Sequence, residues 1–354
     1  LKMLDHPNII KVYEYFNTKR KLFIISELCT GGELFDRITE VKYFTETVAA
    51  HIMKQIFSAT AFCHANNIIH RDLKPENILI ENLEERKKDF FNIKIIDFGT
   101  GEINKHKMLS EKTGTAYYIA PEVINNCYNE KCDIWSCGVI LYILLCGCPP
   151  FSADTDDEIF KKIKIGKYHL KGSIWKEISK EAIDLVSELL TKDIDKRLSA
   201  QQALNHPWFQ NMFSDKNKDL LEYQRKNFPL THLQGIIHNI KTFRAEKKLQ
   251  QAALAFMVHN LAKVEDVKEL KNVFLAFDLD GDGRLTKDEL IKGMSQVMTK
   301  GEAAYDVEKV MNVIDVDKNG YIEYEEFLRA TLDKEKLLSR ENIKLAFDLF
   351  DQDR

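Results

Sequence analysis

The 354-residue sequence lacks a hydrophobic run long enough to cross a membrane and lacks an excess of charge of one sign. Its most apolar stretch, residues 134–148, falls short of the roughly 18 residues that a spanning helix needs, and Asp133 precedes it. A buried helix explains this stretch better. The net charge is only −4, without the clustered basic face that nucleic-acid binding requires. We therefore expect neither a transmembrane segment nor a nucleic-acid partner.

The charge is unevenly spread along the chain. Residues 262–354 carry 22 acidic and 15 basic side chains, a net charge of −7, which leaves +3 for residues 1–261. Such an asymmetry is typical of an acidic regulatory domain attached to an enzyme. The length gives room for two or three domains, each with its own core.

The cysteines follow no zinc-binding pattern, and all seven lie in the first half of the chain, at positions 29, 63, 127, 132, 137, 146 and 148. We interpret them as reduced, partly buried thiols of a cytoplasmic protein. A redox-active Cys146–Cys148 pair is the weaker alternative. No signal peptide is visible, but the sequence begins at Leu1 rather than Met. A membrane anchor before residue 1 therefore stays open.

Two short motifs carry the chemistry of the first half. The octapeptide HRDLKPEN begins at residue 70, and the tripeptide DFG begins at residue 97. Asp72 can accept the proton of an attacking hydroxyl, and Lys74 can reach a transferring phosphoryl group as a point charge. Asn77 and Asp97 can hold the Mg²⁺ ions that neutralise the phosphates of ATP. In order and spacing, the two motifs resemble the signature of protein kinases.

The flanking sequence resembles the large C-terminal lobe of a protein kinase over residues 1–209. The tripeptide APE, which begins at Ala120, closes the activation segment that DFG opens. The resemblance implies that Asp133 ties down the backbone of the catalytic loop. It also implies an ion pair between Glu122 and Arg197.

The substrate class follows from a few positions. Lys74, with Thr115 in the region that contacts the substrate after its target residue, resembles serine/threonine kinases. Glu33 and Glu76 match positions at which basophilic kinases bind arginine, because carboxylates bind guanidinium in a bidentate manner. We expect a substrate with Arg about three residues before the target. For Glu33, a contact with the ribose alone is the alternative.

The segment that contacts adenine reads LFIISELC and begins at Leu22. Ser26 falls at the gatekeeper position of this hinge, and the other residues on the ATP side are Glu27, Cys29 and Glu33. Kinases usually carry a bulky gatekeeper. We therefore expect that Ser26 leaves an apolar back pocket open to inhibitors with a large aryl group.

Arg71 directly precedes the proposed base, and kinases with this arginine need an anion in the activation segment. A phosphothreonine usually stands three residues before Gly114, where this chain carries Glu111. We hypothesise that Glu111 supplies the anion constitutively, so that no upstream kinase is needed. The alternative is a solvated loop glutamate.

Two twelve-residue segments, which begin at Asp278 and Asp315, fit the EF-hand calcium loop throughout. Four carboxylates in each loop favour Ca²⁺, against a degenerate loop or one filled by Mg²⁺. We expect Leu285 and Ile322 to pair across a short β-ladder. The expected Ca²⁺ ligands are Asp278, Asp280, Asp282, Arg284, Thr286 and Glu289 in loop 1, and Asp315, Asp317, Asn319, Tyr321, Glu323 and Glu326 in loop 2.

Both ends of the sequence point to an internal fragment. A third loop starts at Asp351, with Asp353 as its second ligand, and the sequence stops four residues into it. The first ten residues resemble the segment just after the αC helix of kinases, so the glycine-rich loop, the β3 lysine and the αC glutamate do not precede it here. We expect this chain alone to bind Ca²⁺ but to transfer phosphate poorly.

A polar and irregular stretch, residues 210–235, separates the halves. Apolar residues at helical spacing follow, with basic residues beside them. A basic amphipathic helix of this kind suits a calmodulin-like lobe and can also block a basophilic cleft, although an ordinary packing helix is the alternative. The apolar positions are Ile236, Ile240, Phe243, Ala253, Phe256 or Met257 and Leu261, and the basic ones are Lys241, Arg244, Lys247 and Lys248.

The order of segments resembles the calcium-dependent protein kinases of plants and protists: a kinase domain (1–209), an autoinhibitory junction (210–261) and a calmodulin-like EF-hand domain (262–354). The resemblance implies an α+β, mainly α fold, in which a kinase C-lobe with part of the N-lobe precedes a junction helix and an all-α EF-hand domain. It implies Mg²⁺ with ATP and Ca²⁺ as cofactors.

The resemblance also implies a switch. At low Ca²⁺ the junction obstructs the catalytic site, and at high Ca²⁺ the loaded EF-hand lobes grip the junction and release the kinase. Two alternatives remain open: a calcium-responsive pseudokinase that serves as a scaffold, and a kinase controlled by separate calmodulin.

Overall fold

A computed structural model describes residues 4–18, 20–86, 90–104, 108–111, 113–213, 230–243, 257–258, 264–332, 338–340 and 342–344. Helices dominate this part of the chain, and its sheets are two-stranded and antiparallel. The expected α+β, mainly α fold is confirmed. One hydrophobic core lies within residues 4–213 and a second within residues 233–332.

A β-hairpin stands at the start of the chain. Its strands β1 (Val12–Asn17) and β2 (Leu22–Ser26) pair antiparallel, with Asn17 opposite Leu22 and Val12 opposite Ser26. The hairpin leads directly into the hinge, so it carries the proposed gatekeeper at its final strand position.

The body of the first core is helical. Its centre is the pair α2 and α5, and α5 also packs against α8. Residues 134–146 of the apolar stretch fall on α5, whose residues from Cys132 to Leu145 are all buried, as a helix that is apolar on every side requires. The helices are α1 (Leu34–Val41), α2 (Glu46–Ala65), α3 (Leu83–Arg86), α4 (Pro121–Ile124), α5 (Lys131–Cys146), α6 (Asp156–Ile165), α7 (Ser173–Glu177), α8 (Lys180–Leu189), α9 (Ala200–Leu204) and α10 (Pro207–Met212).

Short strands frame the two chemical motifs. Strand β4 (Ile78–Ile80) pairs with β5 (Ile93–Ile95), and β3 (Ile68–Ile69) pairs with β6 (Glu102–Ile103). The HRDLKPEN loop therefore runs from the end of β3 to the start of β4. The DFG tripeptide lies between β5 and β6, so the two sheets bring both motifs to one side of the core.

A buried ion pair fixes the end of the activation segment. Arg197 Nη2 lies 2.9 Å from Glu122 Oε2, and a second nitrogen of the guanidinium bonds Oε1. Arg197 also donates from Nε to the carbonyl of Thr191 at 2.8 Å, and its guanidinium lies over the Trp135 ring. The pair that the resemblance implied is therefore present, and it attaches α4 to the segment before α9.

The second core contains four EF-hand helices and the junction helix. The helices are α11 (Leu230–Thr242), α12 (Val264–Phe277), α13 (Lys287–Met294), α14 (Lys300–Ile314) and α15 (Tyr324–Thr331). Strands β7 (Arg284–Leu285) and β8 (Ile322–Glu323) join the two loops, and Leu285 stands opposite Ile322, as expected.

The junction helix begins earlier than the sequence predicted. Residues 230–235 belong to α11 rather than to an irregular stretch, and α10 extends into the same stretch as far as Met212. Leu233 and Ile237 are buried beside the predicted Ile236, Ile240 and Phe243. The stripe therefore starts one turn sooner than expected.

Several predicted positions lie outside the described residues: Arg244, Lys247, Lys248, Ala253, Phe256, Leu261, Asp351 and Asp353. Met257 is described and is buried in the second core. In the part of the chain that the structure describes, no helix combines the length and the apolar character that a membrane crossing needs.

Candidate active site and calcium loops

One buried carboxylate holds the backbone of the catalytic loop in place. Asp133, at the start of α5, is 1% exposed and accepts hydrogen bonds from the backbone amides of His70 (2.9 Å) and Arg71 (2.8 Å). His64 Nε2 lies 2.9 Å from the same carboxylate. Burial raises the pKa of Asp133, but the hydrogen bonds and charges of His64 and His70 together outweigh it, and the pKa is below its ordinary value. This charged anchor fixes the backbone just before Asp72.

Four predicted site residues form one hydrogen-bonded network. Asp72 Oδ1 accepts a bond from the Thr115 hydroxyl at 2.8 Å, and Asp72 Oδ2 lies 2.9 Å from Lys74 Nζ. Lys74 Nζ in turn donates to Thr115 Oγ1 at 2.9 Å. Asn77 Nδ2 donates to the backbone carbonyl of Asp72 at 2.9 Å. The carboxylate of Asp72 is thereby held in a single orientation.

The DFG segment is tied to the same loop. The carbonyl of Ile96 lies 2.9 Å from Nε2 of His70, and the Phe98 ring packs on the His70 ring with centroids 4.6 Å apart. The Ile96 amide donates to the carbonyl of Asn77 at 2.9 Å. Asp97 itself adopts a left-handed backbone (φ 59°) and is exposed.

The residues present fit Mg²⁺ with ATP. The amide nitrogen of Asn77 is engaged by Asp72, which leaves its Oδ1 as the side-chain acceptor. The exposed carboxylate of Asp97 offers a second hard oxygen ligand. Oxygen donors of this kind are what Mg²⁺ prefers, with phosphate oxygens and water completing its coordination.

Several hydrogen-bond acceptors surround the guanidinium of Arg71. Its Nη1 lies 3.4 Å from Glu111 Oε2 and 3.3 Å from the hydroxyl of Tyr128, and that hydroxyl donates to the backbone carbonyl of Glu111 at 2.7 Å. Glu102 is a second carboxylate, 3.6 Å from Nη2. The glutamate in the activation segment and the arginine thus stand together. The side chain of Glu111 is 75% exposed, so water screens the pair.

Hydrogen bonds and an ion pair hold the hinge residues in place. Ser26 closes β2, and its hydroxyl lies 3.3 Å from the Glu27 carbonyl. Glu27 Oε1 accepts a bond from the Lys11 amide and pairs with the buried Lys94 Nζ, each at 2.7 Å. Burial and the charge of Glu27 raise the pKa of the Cys29 thiol to about 11, so this thiol stays protonated at neutral pH.

The two glutamates predicted to bind a substrate arginine differ in their surroundings. Glu76 Oε2 is buried and, among the described residues, has no hydrogen-bond partner. Glu33 precedes α1 without capping it through its side chain, so its carboxylate is also uncommitted to the helix. Helix α1 packs against the turn (Pro75–Asn77) that carries Glu76.

Loop 1 is folded around its first aspartate. Asp278 Oδ1 accepts a bond from the Gly281 amide at 2.7 Å, and Oδ2 accepts one from the Gly283 amide at 2.9 Å. One carboxylate oxygen from each of Asp278, Asp280 and Asp282 lies within 4.8 Å of the others. Gly283 adopts φ 81°, the left-handed conformation that the sharp turn requires.

Loop 2 repeats this arrangement. Asp315 Oδ2 accepts a bond from the Gly320 amide at 2.9 Å, and carboxylate oxygens of Asp315, Asp317 and Glu326 lie within 4.8 Å of one another. Glu323, at position 9, contributes to the β-ladder opposite Arg284.

The donor sets of both loops fit Ca²⁺. Burial and neighbouring carboxylates raise the pKa of Asp282 to about 6, and burial raises that of Glu326 to about 7. A bound divalent cation would favour the ionised carboxylates, and all-oxygen sets of this density are the ligands that Ca²⁺ takes. At position 12, Glu289 and Glu326 are both buried beside their loops. At position 7, Arg284 and Tyr321 would supply backbone carbonyls to a bound ion, and Thr286 stands at position 9 of loop 1.

The EF-hand core encloses the junction helix. The apolar face of α11 contacts α14 and α15. At the edge of this contact, Asn239 Nδ2 donates to the carbonyl of Thr331 at 2.8 Å, and Lys241 Nζ lies 2.6 Å from Asp306 Oδ2. One of the predicted basic residues therefore pairs with an acidic side chain of the EF-hand helices.

Sequence reasoning missed the partners that arrive from distant parts of the chain. His64 and Tyr128 carry no motif, although they contact Asp133 and Arg71. Leu233 was missed although its spacing from Ile236 and Ile240 continues the stripe. Pro229 directly precedes Leu230, and proline is common at a helix start, so a signal for this boundary was available.

Two family models match the chain. Residues 1–209 match the protein kinase domain, and residues 267–332 match the EF-hand domain pair.

Curated relatives match over the whole chain. It is 46% identical to calcium-dependent protein kinase 4 of Plasmodium falciparum (isolate 3D7), an alignment that covers 100% of this chain and 67% of that protein. It is 42% identical to calcium-dependent protein kinase 3 of Plasmodium berghei (strain Anka), with coverage of 100% and 61%. It is 40% identical to calcium-dependent protein kinase 5 of P. falciparum, with coverage of 100% and 60%. The chain thus spans about two thirds of the first relative and about three fifths of the other two.

The geometry and the comparisons agree. The chain joins a kinase lobe, whose Asp72, Asn77 and Asp97 are all present, to an EF-hand pair with two oxygen-rich loops. Proteins of this organisation use Mg²⁺ with ATP and respond to Ca²⁺. The chain belongs to the calcium-dependent protein kinases, which are serine/threonine protein kinases.

Proposed function

We propose that Asp72 is the base that accepts the proton of a protein serine or threonine hydroxyl, and that α11 and the EF-hand loops place this reaction under calcium control. The observation that carries the proposal is the Asp72 network, held by the buried Asp133, in the same chain as an EF-hand core that encloses the junction helix. The pseudokinase alternative is not favoured, because the residues for base and metal binding are present together.

The chain's own residues support each part of this assignment. Thr115 and Lys74 each hold one oxygen of the Asp72 carboxylate, and these two contacts fix its orientation. A hydroxyl that donates to Asp72 becomes a better nucleophile as its proton is taken. Asn77 and Asp97 would hold Mg²⁺. When bound with ATP, that ion neutralises the charge of the phosphates.

The substrate preference rests on the uncommitted glutamates. A buried carboxylate oxygen without a partner, such as Glu76 Oε2, is costly unless another group completes it. A substrate guanidinium has the charge and the paired N–H donors to do so. We therefore assign Glu76, together with Glu33, to an arginine about three residues before the target. The alternative for Glu33, a ribose contact, is compatible with this role.

The seven free cysteines fit a reducing compartment, and we place the protein in the cytoplasm. Fractionation of cells that express the full-length protein checks this location.

The first prediction concerns calcium control. With the full-length protein and a serine peptide that carries arginine, we expect phosphate transfer to rise about tenfold or more between chelated and saturating Ca²⁺. The Asp72→Ala variant should lose about 100-fold or more at every Ca²⁺ level, because the base is gone. Activity that Ca²⁺ leaves flat would contradict the switch, and an unchanged Asp72→Ala variant would contradict the base.

The second prediction concerns Glu76. The Glu76→Gln variant should lower kcat/KM about ten- to hundredfold for a peptide with arginine three residues before the serine, because a charged hydrogen bond is removed. For the matching peptide with alanine there, the variant and the parent protein should differ little. Equal losses on both peptides would show that Glu76 does not read the arginine.

The third prediction concerns Glu111. At saturating Ca²⁺, Glu111→Ala should lower kcat about three- to fivefold, the amount that a screened pair of this exposure supports. The Glu158→Ala variant, which removes an exposed acid from α6, is the control. Activity of Glu111→Ala equal to that of the control would mean that Glu111 is a solvated loop residue.

A further inference from the structure

The two calcium loops share the EF-hand pattern but differ in what surrounds position 6, the glycine of the sharp turn. At Gly320, position 6 of loop 2, an added Cβ would meet no atom of the described residues within 4 Å. At Gly283, the same position in loop 1, it would lie 2.4 Å from a carbon of the His6 ring. Loop 1 is therefore packed against the kinase lobe at this position, whereas no described residue lies as close to Gly320 in loop 2.

The kinase lobe also places a positive charge beside loop 1. Lys54, on α2, approaches Gly281 so closely that a Cβ there would lie 3.1 Å from Lys54 Cε. The ammonium lies 5.2 Å from the centroid of the Phe213 ring, within reach of a cation–π interaction. Asp280 and Asp282, both expected Ca²⁺ ligands, flank Gly281 in the sequence, so the Lys54 side chain lies beside the carboxylates of loop 1.

A second contact anchors the same arrangement. Lys271, on α12 of the EF-hand region, reaches Glu81 beyond β4 of the kinase lobe, with Nζ and Oε2 2.7 Å apart. Lys271 is only 2% exposed, and its partner is largely covered. Because removing one member of a buried pair leaves the other charge uncompensated, this contact fixes how the two regions meet.

We propose that the kinase lobe sets the calcium affinity of loop 1 through Lys54, and that Ca²⁺ in loop 1 in turn weakens the contact between the loop and the lobe. The inference rests on the proposed function, since it requires loop 1 to bind Ca²⁺. It goes beyond that function by making one kinase residue a regulator of one calcium site.

The physical reason is charge. The ammonium of Lys54 compensates the crowded carboxylates of the loop, whereas a divalent cation in the loop repels it. Lys54 thus competes with Ca²⁺ for the same negative charge. Coupling between two binding events is reciprocal. The free energy by which Lys54 weakens Ca²⁺ binding therefore equals the free energy by which bound Ca²⁺ weakens the contact between loop 1 and the kinase lobe. Among the described residues no such neighbour approaches Gly320, and loop 2 should bind Ca²⁺ independently of Lys54.

The two loops can be titrated separately in the full chain. The amides of Gly283 and Gly320 each donate to the first aspartate of their own loop, so each signal reports one site. With ¹⁵N-glycine labelling, the chain contributes only 15 glycine signals. The shift of these two signals with added Ca²⁺ measures both sites without reference to kinase activity.

We expect Lys54→Met to lower the Kd of loop 1 by about three- to tenfold and to leave loop 2 unchanged, as loss of a screened unit charge near a divalent ion requires. The Lys161→Met variant, which removes an exposed lysine from α6, should change neither site. Lys54→Arg should restore the parent affinity because it keeps the charge.

A double variant tests whether Lys54 acts across the contact. In a Lys271→Met background, where the anchor is lost, the further change Lys54→Met should have little effect on loop 1. Equal loop 1 affinity in Lys54→Met and the parent protein would overturn the proposal while leaving calcium binding intact. If neither glycine signal responds to Ca²⁺, the calcium function itself fails.

Discussion

The buried carboxylate of Asp133 is the constraint on which the catalytic half depends. A charge 1% exposed at the start of an apolar helix is costly unless donors satisfy it, and here the donors are two backbone amides of the catalytic loop and one imidazole. The hydrogen bonds that stabilise the buried charge in α5 are therefore the same bonds that position the backbone just before Asp72. The buried pair between Glu122 and Arg197 does the same for the end of the activation segment. Buried charges of the core therefore fix the geometry of the catalytic loop and of the activation segment.

The calcium half depends on a different constraint. The apolar face of α11 can be buried in one place at a time, and in this structure it is buried among α14 and α15. Any other contact that the apolar face of α11 makes must therefore compete with its burial among α14 and α15. The contact between loop 1 and the kinase lobe adds a second competition, between the charge of Lys54 and a calcium ion. Together these two competitions give the EF-hand region physical means of acting on an enzyme to which it is covalently joined.

Local patterns predicted much of this arrangement. HRDLKPEN and DFG carry their roles in adjacent residues, and the loops around Asp278 and Asp315 fix their ligands at set spacings. Their ladder partners, Leu285 and Ile322, could also be named in advance. Long-range partners could not, because no periodicity connects His64 to Asp133 or Lys271 to Glu81. The start of α11 was placed too late because residues 210–235 as a whole show a polar, irregular pattern, which obscured the stripe position of Leu233.

The central claim is that Ca²⁺ decides where the junction helix is buried, and amide hydrogen exchange of residues 230–242 in the full-length protein tests it most directly. With saturating Ca²⁺ the amides of α11 should exchange slowly, as they do when a helix is held inside a packed core. With a chelator the exchange rates of the α11 amides should differ from those in saturating Ca²⁺. Peptides around Asp72 should then exchange more slowly, because the helix moves to the catalytic side. Identical exchange in both conditions would contradict the account.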